Sequence, residues 1–176
     1  GVGLPITQNL EKITKKWVPL TLYDTKGLEL TPQSQAEVLQ SLLNLIERQM
    51  EKGSREAIHL LYYTLNANMA RIEPFEIDLI RQLAEKAPVL LILTQAYDES
   101  AKDFKEYLED LDLPVQGVIP VLAKALVVQG KERIPAYNLQ LVIDKSLALI
   151  PSEVVRAFTN AQQIDIELKV QQARNW

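Results

Sequence analysis

A chain of 176 residues, 47% hydrophobic and without cysteine, can bury one sizeable core but has no disulfide, thiolate metal site or cysteine nucleophile, a composition that suits a reducing compartment. A formal net charge of −4, with no basic run and no aromatic residues interleaved with one, argues against a surface built for RNA or DNA. The longest apolar stretch, Ala87 to Leu93, is too short to span a bilayer, and no charged leader followed by an apolar core opens the chain; the expectation is a soluble, cytoplasmic protein.

In chain order, Ile13 to Trp17 reads as an edge strand, antiparallel to Leu20 to Tyr23 through Val18-Pro19. The apolar runs Pro19 to Tyr23, Ile58 to Leu65, Val89 to Leu93 and Val115 to Val121 are near-continuous, the pattern of parallel strands covered on both faces. Helical periodicity fills the gaps. Ser34 to Glu51 carries Val38, Leu42, Leu45 and Ile46 on one stripe; Pro74 to Lys86 carries Ile77, Ile80, Leu83 and Ala84; Glu99 to Leu111 carries Phe104, Leu108 and Leu111. Ser34 suits a helix start, Gly53 a helix end, and Pro74 a first helical turn. Two further helices are expected at Tyr137 to Leu149 and Ser152 to Gln172, divided by Pro151.

This β-α-β-α-β-α-β order predicts a doubly wound, three-layer α/β/α sheet with right-handed crossovers, formed by residues 1–150. Residues 151–176 form a C-terminal amphipathic extension, in which Val154, Val155, Phe158, Ala161, Ile164, Ile166 and Leu168 make a broad apolar stripe. In such a sheet the ligand crevice lies beyond the carboxyl ends of the strands. Asp24, Thr64 to Asn68 and Thr94 to Asp98 fall there.

The most informative segment is Asp24-Thr25-Lys26-Gly27 at the end of Leu20-Thr21-Leu22-Tyr23. With Gly3-Leu4-Pro5-Ile6-Thr7 upstream, Thr94-Gln95 at the end of a later strand and Leu122-Ala123-Lys124 after the next, the motif order over residues 3 to 124 resembles Era-like, septin- and dynamin-related P-loop GTPases. The resemblance implies a switch that binds GTP and GDP with Mg²⁺ and hydrolyses GTP to GDP and phosphate. Thr7 would supply a hydroxyl to Mg²⁺ and an amide to the γ-phosphate, Asp24 would hold Mg²⁺ through water, and the Gly27 amide would meet the γ-phosphate. Thr94, Gln95 and Asp98 would surround the base together with Ala123 and Lys124. It further implies a homodimer or an effector protein as partner through the switch segments, and membrane association through parts of the parent beyond residue 176.

The chain departs from that family pattern in three places. No GxxxxGK[ST] occurs in the 176 residues; the expectation is a fragment lacking the first strand and the phosphate loop, unable to bind nucleotide tightly alone. Gln95 stands where the family has lysine, and Tyr97 stands where it has the base-reading aspartate, with Asp98 one residue later. Asp98 then reads either as base reader, through a one-residue bulge, or as the N-cap of the following helix. Leu28 stands where small GTPases carry the water-orienting glutamine, which implies slow turnover stimulated by assembly, with Glu29 a weak substitute. A catalytically inactive pseudo-GTPase serving as an interaction module is the alternative. A receiver-like domain with Asp24 as phosphoacceptor fits less well, because the acidic pair and lysine it needs are not evident.

The remaining candidates read as structural. Arg71 and Glu73 suit a solvated rim loop, His59 a half-buried strand position, and Glu109-Asp110 with Asp112 a solvated helix end.

Overall fold

The computed structural model describes residues 11–14, 21–24, 34–156 and 160. The chain divides into two compact units, Gln49–Leu149 and the residues flanking it. Thr7 and Gly27, most of the C-terminal extension, and Leu28 and Glu29 lie outside the described residues.

In the flanking unit, β1 (Glu11–Thr14) and β2 (Thr21–Asp24) pair antiparallel, from Glu11 opposite Asp24 to Thr14 opposite Thr21. The antiparallel partnership expected here therefore forms, two residues earlier in β1 than the apolar pattern indicates. β2 was also expected in the parallel sheet, but its described partner is β1. Helix α1 (Gln35–Glu51) follows, its first turn closed by the Val38 amide on the Ser34 carbonyl at 2.9 Å. Val38 and Ile46, one helical face apart, are each 2% exposed. The helix ends at Gly53, whose φ of 102° lies in the left-handed region that favours glycine. Helix resumes at Ser152, directly after Pro151.

In Gln49–Leu149 a three-stranded parallel sheet forms in the order β3 (Leu61–Asn66), β4 (Val89–Thr94), β5 (Val118–Pro120). β3 and β4 run in register from Leu61 opposite Val89 to Asn66 opposite Thr94, and Leu91 to Leu93 face Val118 to Pro120. Two crossover helices join them, α2 (Pro74–Ala84) and α3 (Glu99–Asp110). Beyond β5 come a hairpin, β6 (Leu126–Val128) and β7 (Lys131–Ile134), and then α4 (Leu139–Leu149).

Alternation along the strands sorts the core onto two faces. On one face Leu65, Leu91, Leu93 and Val118 pack with Ile80 of α2 and Phe104 and Leu108 of α3. On the other, Leu90, Ile92, Ile119 and Val121 pack with Val142 and Leu149 of α4. β4 is buried throughout apart from Thr94, as its unbroken Val-Leu-Leu-Ile-Leu run requires. β3 departs from the expectation of two covered faces: Tyr62 and Thr64 on one side are exposed, and the Tyr62 hydroxyl bonds Ser146 Oγ at 2.6 Å. β5 is shorter than the expected Val115 to Val121; Pro120 brings no N–H to the ladder and lies on the sheet edge where that is tolerated. Among the described residues no helix is long and apolar enough to cross a membrane.

Candidate functional site

Three parallel strands that end side by side deliver three loops to one edge of the sheet: Asn66 to Met69 after β3, Gln95 to Asp98 after β4, and Val121 to Lys124 after β5. The backbone stitches them together. The Ala67 amide donates to the Thr94 carbonyl at 2.9 Å, and the Ala96 amide donates to the Val121 carbonyl at 3.2 Å. Ala67 and Ala96 are 0% and 1% exposed, so small side chains let the loop bases close on one another.

Above these alanines lies a network of neutral amides. The Asn68 backbone amide donates to Asn66 Oδ1 at 2.9 Å, which turns Asn66 Nδ2 towards Gln95 Oε1 at 3.2 Å. Asn68 Nδ2 donates to the Tyr97 hydroxyl at 2.9 Å and lies 3.4 Å from Gln95 Oε1. An N–H can only donate, so the chain of bonds leaves Gln95 with its oxygen facing the asparagines and its own N–H groups free to donate elsewhere. Gln95 itself has a φ of 54°, a left-handed conformation uncommon for a residue with a Cβ.

The other predicted site residues divide between structural and exposed positions. The Thr94 hydroxyl turns back to the Leu65 carbonyl at 3.4 Å. Asp98 is the N-cap of α3: its Oδ1 accepts from the Ala101 amide at 3.3 Å and from the Ser100 hydroxyl. Of the two roles open to Asp98 from the sequence, the capping geometry is formed. Ala123 and Lys124 are both exposed, in the bend between Leu122 and β6. Asp24 closes β2, and its partner in the predicted metal site, Thr7, lies outside the described residues.

Two residues that the sequence did not single out pin the site from beneath. Tyr137 exchanges both backbone bonds with Leu122, at 3.0 and 3.3 Å, and its hydroxyl donates to the Ala96 carbonyl. Asn138, with a φ of 65°, donates from Nδ2 to the Pro120 carbonyl at 2.8 Å. Burial of the Tyr137 ring holds its hydroxyl above the usual phenol range, so it stays a neutral donor. An aromatic followed by Asn immediately before a helix pattern was the available signal, but it reads as an ordinary helix start.

Arg71 pairs with Glu73 at 2.7 Å in the exposed rim loop. His59, half-buried just before β3, bonds the Ser54 carbonyl at 2.7 Å. Beside the site, a groove of about 330 Å³ is lined by Ala70, Ser100, Asp103, Phe104 and Tyr107. Among the described residues no cluster of three His, Cys, Asp or Glu side chains could hold a metal ion. The loops offer neutral hydrogen-bond donors and acceptors around small buried residues, with the charged Asp98 and Lys124 beside them.

Scans against protein-family models, curated proteins and solved structures find no match to this chain. The chain is a mixed α/β protein built on a small parallel sheet, with polar loops gathered at the carboxyl ends of the strands.

Proposed function

We propose that this chain is the base-recognition part of a guanine-nucleotide switch of the Era-like P-loop GTPase type, with a doubly wound three-layer G domain. One observation carries the reading: β4 and β5 are neighbouring parallel strands whose carboxyl ends bring Thr94 to Asp98 beside Leu122 to Lys124. Those are the two segments that the motif order assigns to the base, and a base site needs them adjacent. The antiparallel β1–β2 pair, which ends at Asp24, also follows that motif order.

In this reading Thr94, Gln95 and Asp98 with Ala123 and Lys124 surround the base, and Gln95 offers a neutral N–H donor where lysine would offer a charge. Asp98 would have to serve the base with the oxygen that capping leaves over, a carboxylate having acceptor capacity for both. The Asp24 carboxylate and the Thr7 hydroxyl would supply hard oxygen donors of the kind that suits Mg²⁺, and Gly27 would offer its amide to the γ-phosphate. Bound Mg²⁺ would neutralise charge developing on the phosphates. The 176 residues hold no GxxxxGK[ST], so the phosphate loop must come from outside them. That absence also favours a second reading, a pseudo-GTPase interaction module that never binds nucleotide.

Titration of fluorescent GTP, GDP and ATP, with Mg²⁺, into this chain and into a longer product carrying a phosphate loop separates the two. Binding of GTP and GDP but not ATP by the longer product is expected, with Asp24→Ala weakening GTP more than GDP. Silence from both products leaves the interaction module.

A further inference from the structure

We propose that Tyr137 is a positioning residue for the base site, tying the loop after β4 to the loop after β5; this rests on the guanine-nucleotide reading. Four bonds converge on the joint. Tyr137 is paired with Leu122 by two backbone bonds, its hydroxyl holds the Ala96 carbonyl, and its neighbour Asn138 holds the Pro120 carbonyl. Ala96 is thereby gripped at both ends, its amide on Val121 and its carbonyl on Tyr137.

The residues that would meet the base lie immediately to either side, Gln95 to Asp98 on one loop and Ala123 to Lys124 on the other. The ring is half-buried and packs against the core cluster that also includes Ala96, Ala101 and Phe104. Tyr137 thus relays the rigidity of the sheet and α3 to two exposed loops. Moreover, the exposed β6–β7 hairpin leaves the sheet after Lys124 and returns just before Tyr137, so the Leu122–Tyr137 bridge closes its base.

Tyr137→Phe keeps the ring and removes only the hydroxyl. Hydrogen exchange on the 176-residue chain is expected to quicken about tenfold at the Ala96, Leu122 and Tyr137 amides that the joint holds, the loss of one partly buried hydrogen bond, with exchange in α2 unchanged. Equal exchange in both proteins overturns the joint. In the longer, nucleotide-binding product the affinity ratio of GDP over inosine diphosphate, which differ only in the base, is expected to fall at least about threefold. Equal weakening of both nucleotides means a merely structural tyrosine and overturns the positioning role. A wild-type product that binds neither nucleotide overturns the guanine reading, and the exchange result then decides the joint independently. Asn138→Ala, which removes only the bond to the Pro120 carbonyl, repeats the exchange test if Tyr137→Phe folds poorly.

Discussion

Tyr63 shows how much one hydroxyl can organise in this protein. Its O–H donates to Glu76 Oε1 at 2.8 Å, and Glu76 Oε2 accepts the Glu73 amide at 2.9 Å, closing the first turn of α2 behind Pro74. Tyr63→Phe is expected to cost about 1 kcal/mol in urea unfolding. Burial first, then the hydrogen bond and charge of Glu76, raise the Tyr63 hydroxyl above its ordinary value of 10.0. A phenol held neutral when folded contributes its full stability below the unfolded value and loses it as pH rises beyond, because only the unfolded chain ionises freely. Wild-type protein should therefore lose stability more steeply above about pH 10 than Tyr63→Phe does. Asp98 carries a second residue-scale test. Asp98→Ala removes the cap of α3 and should cost about 1 kcal/mol, while Asp98→Asn keeps a capping oxygen and should stay within a few tenths of wild type. If Asp98 also reads the base, Asp98→Asn nevertheless loses its preference for guanine nucleotides in the longer product, because one carboxylate oxygen becomes a donor.

The β6–β7 hairpin marks the limit of pattern reading among the elements. Its strands span Leu126–Val128 and Lys131–Ile134, with Val127 56% and Val128 43% exposed. No alternation between buried and exposed residues announces strands so short and wet. What makes the turn is backbone chemistry: Gln129 and Gly130 have φ of 51° and 73°, the paired left-handed conformations of a two-residue hairpin loop. A Cβ at Gly130 would meet nothing within 4 Å, so Gly130→Ala carries only the backbone penalty. That penalty should lower stability by about 1 kcal/mol in chemical denaturation. Longer elements were legible. Helices α1 to α4 fall within two residues of their expected starts because each presents an apolar stripe or a clear stop signal.

At the scale of the whole molecule, nucleotide binding to the folded state alone must show as stability. In the longer product GDP with Mg²⁺, at about a hundredfold over its Kd, should add about 2.7 kcal/mol and raise the Tm by several degrees, and ATP should add nothing. Differential scanning fluorimetry reads both. Local periodicity was enough for the α/β class, the helices and the β3-α2-β4-α3-β5 order, because each depends on residues only a few positions apart. The motif order put Thr94 to Asp98 at and after the end of one strand and Ala123 and Lys124 after the next, and those segments follow β4 and β5, whose ends a parallel sheet gathers on one edge. What decided the rest were bonds between distant residues. Tyr137 reaches Ala96 across 41 positions, and Asn66 reaches Gln95 across 29. Such pairings depend on which backbone groups the folded chain brings within about 3 Å, and no short window of sequence contains both partners.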